Sequence, residues 1–502
     1  MTEKKTGLLA WARRNLGTIL LVIVGAAVLF AGHLYQRFAE DSTPHYASEV
    51  DHFKYGSTGG ERLAGIPYGV WKALPKMCAR YMPGRSTPDQ GYAPLGFTYE
   101  PGRDLPIGVS RRRTFGFDRV FLNCAVCHSG TVRETAQSEP MVFIGMPANT
   151  IDLQAFQRFM FDCVTDERFN PLDLLPEAEA AGADYDLLDR LALGVFGVPL
   201  MKDLLLLLRH RFGYQQANPP FGPGRYDTFG PAKALMNWDI ASLPEAERIG
   251  TVDFPSIWNQ AKREGMQLHW DGNNTSVEER NRSAAFGTGA MPVTLDRASV
   301  KRMEAWLWDK AKQPAYPFPI DRDLAARGAP IYARICAECH GASGTDFTGE
   351  RVGQVVPIAD IATDRHRLDS YTFDLAANQN NLYAGFPEER FRHFRKTYGY
   401  ANMPLDGVWL RAPYLHNGSV PSLRDLLNPS RDRPTVFYRG NTVYDQRNVG
   451  FVADVAEQDG RRFFRYDTRR PGNGNRGHEG AIYGTELSPG EKDAIVEYMK
   501  TF

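Results

Sequence analysis

Two five-residue strings, Cys124-Ala-Val-Cys-His128 and Cys336-Ala-Glu-Cys-His340, carry the plainest chemistry in the chain. In a Cys-x-x-Cys-His string the two thiols add to the vinyl groups of a porphyrin, and the imidazole that follows becomes an axial ligand of its iron. Zinc sites and thioredoxin-like redox pairs also use paired cysteines, but neither needs His directly after the second one. Two copies in a chain of 502 residues with only 6 Cys and 11 His predict two covalently bound haem c groups. Cys124, Cys127, Cys336 and Cys339 would attach them; His128 and His340 would ligate the irons. What fills the opposite axial position decides whether an iron only passes electrons or also binds an oxidant.

Haem attachment of this kind implies export. Lys4, Lys5, Arg13 and Arg14 precede a stretch from Asn15 to Gln36 that contains no Asp, Glu, Lys or Arg, long enough to cross a bilayer as one helix. The positive flank keeps the N-terminus in the cytoplasm, and Trp11 and Tyr35 lie near the two interfaces. The expectation is residues 1–45 as cytoplasmic tip and transmembrane anchor, with the rest on the periplasmic side of an inner membrane; a cleaved signal peptide is the alternative.

The predicted class is mainly α, with two cytochrome c-like haem domains joined by long loops. Gln313-Pro-Ala-Tyr-Pro-Phe-Pro-Ile320 reads as an extended linker, so an N-terminal haem domain is drawn over 46–312 and a C-terminal one over 313–502. Leu324–Ile335 has helical apolar spacing directly before Cys336. Ser488-Pro-Gly-Glu491 reads as a capping box that starts a closing helix. Leu204 to Leu208 is read as helical core or the wall of an apolar pocket. Cys78 and Cys163 remain, either as a disulfide or as two buried thiols. Lys plus Arg and Asp plus Glu number 59 each, which gives no basis for a nucleic-acid partner.

With these residues in view, the chain resembles the bacterial di-haem cytochrome c peroxidase superfamily, and within it the di-haem rubber oxygenases. The paired strings carry the resemblance, with Leu268-His-Trp-Asp-Gly272, Ser276-Val-Glu-Glu279 and Ala412-Pro-Tyr-Leu-His-Asn-Gly-Ser-Val-Pro-Ser-Leu423. It implies an electron-transfer haem at His340 whose second ligand is His416, with Met403 as an alternative; the Met that the peroxidases use falls at Ser430. It implies Trp270 as a relay between the haems. No His lies between Ser129 and Arg209 to cap the iron of His128, although His210 and His269 remain candidates. Arg280 and Ala290 stand where the peroxidases place a Gln and a proton-moving Glu. Ala284-Ala285-Phe286-Gly287, in register with the distal region of the rubber oxygenases, implies a dry pocket able to hold oxygen beside an apolar substrate, with Phe286, like Trp270, as a catalytic residue. The implied activity is a haem-dependent oxidoreductase acting on oxygen. Peroxide reduction and pure electron transfer are the alternatives, and a periplasmic electron donor or acceptor is the implied partner.

Overall fold

The computed structural model describes residues 11, 13–84 and 87–502; Lys4 and Lys5 lie outside the described residues. The first element described is helix α1 (Leu16–Ala39), whose 24 residues include none that is buried. At 1.5 Å per residue it is about 36 Å long, enough for the hydrocarbon core of a bilayer. An apolar N-terminal helix of this kind serves as a membrane anchor or as a signal sequence.

The next elements form the frame of the first string. Ser48 caps α2 (Glu49–Tyr55) by accepting from the Asp51 amide. A three-stranded antiparallel sheet follows, with β3 (Phe117–Leu122) between β1 (Ile66–Pro67) and β2 (Val109–Thr114). Helix α3 (Tyr68–Met77) ends at Cys78, and α4 (Leu153–Cys163), capped by Asp152, ends at its disulfide partner Cys163. That bond closes an 85-residue separation with α-carbons 5.5 Å apart, which by chain entropy contributes about 4 to 5 kcal/mol. Next come α5 (Pro171–Ala180), α6 (Leu187–Ala192), a π-turn over Leu193–Gly197 and α7 (Val198–Arg211).

Short antiparallel ladders carry the loops: β4 (Ser129–Val132) with β5 (Met141–Ile144), β6 (Arg225–Asp227) with β7 (Thr251–Asp253), and β8 (Val355–Pro357) with β9 (Gly399–Ala401). Helices α8 (Val277–Gly287) and α9 (Arg297–Asp309) lie between β7 and the second string. Mixed helix and strand therefore replaces the expected mainly α class. The 47 Gly and 33 Pro punctuate the chain too often for long helices, and the freed backbone pairs in ladders instead.

The second string follows α10 (Arg322–Ile335) and lies on α11 (Ala337–His340). The closing helix α12 (Pro489–Met499) starts with both halves of the capping box on Ser488 and Glu491. It crosses α10 at Gly328, where an added Cβ would strike the Ala494 carbonyl. Tyr332 packs there against Tyr498 and Phe502. Gln313–Ile320 is extended, yet its Tyr316 packs edge-on against Trp409 and its Phe318 stacks on Tyr444. One apolar core, from Phe53 and Trp306 to Trp409 and Phe502, thus runs across the position of the drawn boundary.

Candidate metal centres

The first string sits on a single 3-10 turn, Cys124–Val126, between β3 and β4. Buried Asn123 shapes it: its Oδ1 accepts from the Ala125 amide at 2.9 Å while its Nδ2 donates to the Lys54 and Gly56 carbonyls at 3.1 and 2.9 Å. Gly108, at φ +89°, lies so close to Val126 that a Cβ has no room. Cys124 and Ala125 face the core of Phe53 and Trp306; Val126 and Cys127 face that of Val70 and Phe159. Burial pushes the Cys124 thiol up to about 11 and the Cys127 thiol upward too. The His128 Nδ1 donates to the Pro255 carbonyl at 2.9 Å. A carbonyl only accepts, so the proton sits on Nδ1 and the Nε2 lone pair is free for a metal. Burial, then Arg280, lowers His128 to about 4, which keeps it in the neutral, ligating form.

The second string repeats this arrangement on a different scaffold. His340 Nδ1 donates to the Met403 carbonyl at 2.7 Å, and burial lowers its pKa. Burial also pushes Cys336 up to about 12. The His340 ring faces that of His478, with centroids 6.3 Å apart. Two imidazoles on opposite sides of one metal, each bonded at about 2 Å, would have centroids about 6 to 6.5 Å apart. His478 is held at φ +53° by its amide, which donates to the Ile361 carbonyl, and by Arg433, which donates to its own carbonyl at 3.2 Å. Among the described residues its buried Nδ1 has no partner, and burial, His340 and Arg433 lower it to about 3. Strained backbone and an unpartnered imidazole opposite His340 fit a second axial ligand.

His416 occupies a different setting. Its ring stacks on Tyr400 at 4.2 Å, and its Nε2 lies 3.1 Å from the Tyr400 hydroxyl. That hydroxyl gives its one proton to the Asp364 carbonyl at 2.8 Å, so His416 Nε2 is the donor to it. The His416 carbonyl accepts from the Asp253 amide at 2.9 Å. Met403 takes part through its carbonyl, as described.

Trp270 joins the two halves. Its Nε1 donates to the Asp253 carbonyl at 2.8 Å, and its own carbonyl accepts from the Ala401 amide at 2.9 Å. Two residues beyond these contacts lie Pro255 and Met403, the carbonyls that orient His128 and His340. Pro255, Met403, His269 and Arg280 line one cleft. His269, at φ +63°, hydrogen-bonds Asn273 through Nδ1, and burial lowers it to about 4.

Helix α8 presents two faces. Arg280 lies near enough to depress His128, and Asn281 exchanges amide hydrogen bonds with buried Gln260 at 2.9 and 3.2 Å. Phe286 lies on another face with Arg282, and both pack on Phe391; Phe286 also meets Tyr383 at 4.6 Å. Ala290 is buried among Ala285, Leu295 and Val300. The acid that sequence reasoning missed is Glu304 on α9. Burial, then Glu278, raises its carboxyl to about 7, and its charge bears on the Cys124 thiol. Its only sequence signal is position, between the core residues Met303 and Trp306. Leu204–Leu208 is not core throughout: Leu206 and Leu207 are exposed.

Residues 399–438, which include β9, Met403 and His416, match a family described as RoxA-like, cytochrome c-like. Two proteins of Sinorhizobium fredii are similar over longer stretches. Uncharacterized protein y4iM is 32% identical across 52% of this chain and 67% of its own length. Uncharacterized protein y4iJ is 27% identical across 83% of each chain. The chain belongs to the family of y4iM, and its RoxA-like, cytochrome c-like segment implies covalently bound haem c and a c-type cytochrome.

Proposed function

We propose that this chain is an exported di-haem c-type cytochrome in which the His340 centre carries electrons and the His128 centre handles oxygen, as in the rubber oxygenases it resembles. One observation carries the reading: His478 faces His340, whereas among the described residues no second imidazole faces His128. We assign the second axial position at His340 to His478 in place of His416, whose Nε2 proton is directed at Tyr400. Bound at these sites, the haem irons supply one-electron transfer and activation of an oxidant.

The protein's own groups do the positioning. Pro255 and Met403 hold the proximal rings, and Trp270, fixed between the segments that carry those carbonyls, is the relay. Arg280 borders the His128 side; Phe286 belongs to the aromatic packing around Phe391. Residues 1–45 anchor the chain to the inner membrane, with haem domains over 46–312 and 313–502 in the periplasm. There they exchange electrons with a periplasmic partner. Glu304 favours a second reading, reduction of hydrogen peroxide, because a carboxyl raised to about 7 suits proton delivery.

Titration of the reduced full-length protein with carbon monoxide, against covalent haem counted by pyridine haemochrome, tests the division of labour. One carbon monoxide per two haems is expected. Two per two would remove the axial role of His478, and none would make both centres electron carriers.

A further inference from the structure

Among the described residues two helical stretches are long and apolar enough to cross a membrane, α1 and Leu187–Arg211. The second cannot span, because one side of it is committed to the protein. Leu193 and Val198 are buried, Met201 and Leu205 pack on the same core, and Lys202 Nζ donates to the Phe169 carbonyl at 3.0 Å. Among the described residues nothing covers the other side. Leu187 is 81% exposed, Phe196 64% and Leu200 65%, and Leu191, Val195 and Leu207 continue the stripe at helical spacing. Leu172, 87% exposed, extends the patch from α5, which packs against the π-turn. A contiguous apolar surface of this kind marks an interaction site.

The start of this stripe is tied to the end of α1. Arg37, in the last turn of α1, donates to Asp186 at 2.6 Å and to Asp189 at 2.5 Å, the two acids of the capping box that opens α6. Residues 15–36 contain no Asp, Glu, Lys or Arg, so Arg37 is the first charge after the apolar span and belongs at headgroup level. The fork therefore sets α6 at the surface of whatever α1 crosses. At the far end, Arg209, His210 and Arg211 form a basic terminus suited to anionic headgroups. Asp203 is exposed on the same side, which favours a shallow position with charges reaching the interface over full immersion.

We propose that α6, the π-turn and α7 form a monotopic membrane-contact surface, with Leu187, Leu191, Phe196, Leu200 and Leu207 entering the outer acyl layer of the bilayer that α1 crosses. The proposal rests on the anchor reading of α1. It gives the protein two attachments, one through the bilayer and one along it. Together they fix the orientation of the haem domains relative to the membrane.

The test uses the full haem-loaded chain in phosphatidylcholine–phosphatidylglycerol vesicles. Nitroxide labels are placed singly through Leu200→Cys, Leu207→Cys, Leu21→Cys and, as an aqueous control, Glu457→Cys. The six native cysteines are consumed by haem attachment and the disulfide, so each label has one site. Labels at 200 and 207 should collide more with oxygen and less with a soluble nickel chelate than the label at 457, and the label at 21 should show the deepest profile. Aqueous profiles at 200 and 207 with a deep label at 21 would overturn the contact surface and leave the anchor intact. An aqueous label at 21 would remove the anchor and the proposal with it. Dipolar broadening between chains at 200 would show that a second copy covers the stripe and overturn the lipid assignment. Leu200→Glu with Leu207→Glu, both at solvent-facing positions, should keep the haem spectrum and shift a label at Phe196→Cys toward the chelate; an unmoved label would count against the proposal.

Discussion

The string at Cys336 grows out of a helix, α10 into α11, with α12 crossing behind it; the string at Cys124 is a three-residue turn between strands, shaped by Asn123 and Gly108. Both nevertheless present an Nδ1 proton to a backbone carbonyl and keep Nε2 free. The same proximal geometry is thus built on two very different scaffolds. The two centres differ at their far side, where a strained loop brings His478 to His340. On the proposed reading, it is that loop and not the motifs that divides the function.

The largest effect should come from removing one member of the pair. Cys124→Ala with Cys127→Ala should leave one covalent haem per chain by pyridine haemochrome, with the His340 spectrum retained. Two haems remaining in that variant would refute the attachment. Next, His478→Ala should raise carbon monoxide uptake from one to two per chain and abolish a low-spin signal of the His340 haem. His416→Ala should do neither. The reverse outcome would restore His416 as ligand. Opening the disulfide with Cys78→Ser and Cys163→Ser should lower stability by about 4 to 5 kcal/mol if the chain-entropy account holds. Because α3 and α4 frame only the first string, the loss should appear first as unfolding around His128, followed by its Soret band.

How much of this was legible beforehand follows the same divide. The frame of the second string is written locally: apolar period before Cys336, and Ser488 with Glu491 at the closing helix, both of which the chain forms as expected. His478 was illegible because Arg470–Gly480 has no period, and what brings it to His340 is a positive φ set by remote Arg433 and Ile361. Pro255 and Met403 act through carbonyls, which no side-chain pattern reports. The leucines at 204–208 announced a helix, but only packing decides which of them face water. The resemblance pointed to Trp270, which the fold ties to both halves, and to Phe286, which faces Phe391.

The smallest expected effect concerns Glu304, and it separates oxygen from peroxide as the oxidant. Asn281, Glu278, Arg282 and Lys301 bear on this carboxyl, and burial with Glu278 outweighs the rest, so it is protonated below about pH 7 and charged above. Its raised pKa means the folded state holds a proton that the unfolded chain has already released. The stability this contributes is complete below the ordinary carboxyl range and is lost as pH rises toward 7. Glu304→Gln should therefore flatten the stability profile between about pH 4.5 and 7 relative to the parent protein. On the oxygen reading, the same substitution leaves a low peroxide turnover with reduced cytochrome c unchanged. If Glu304 delivers the proton for O–O cleavage, turnover in the parent declines above pH 7, and the Gln variant falls by about 10²–10⁴-fold at lower pH. A flattened stability profile with unchanged turnover shows that Glu304 titrates there and is a bystander to the chemistry. A flattened profile with collapsed turnover makes the His128 centre a peroxidase.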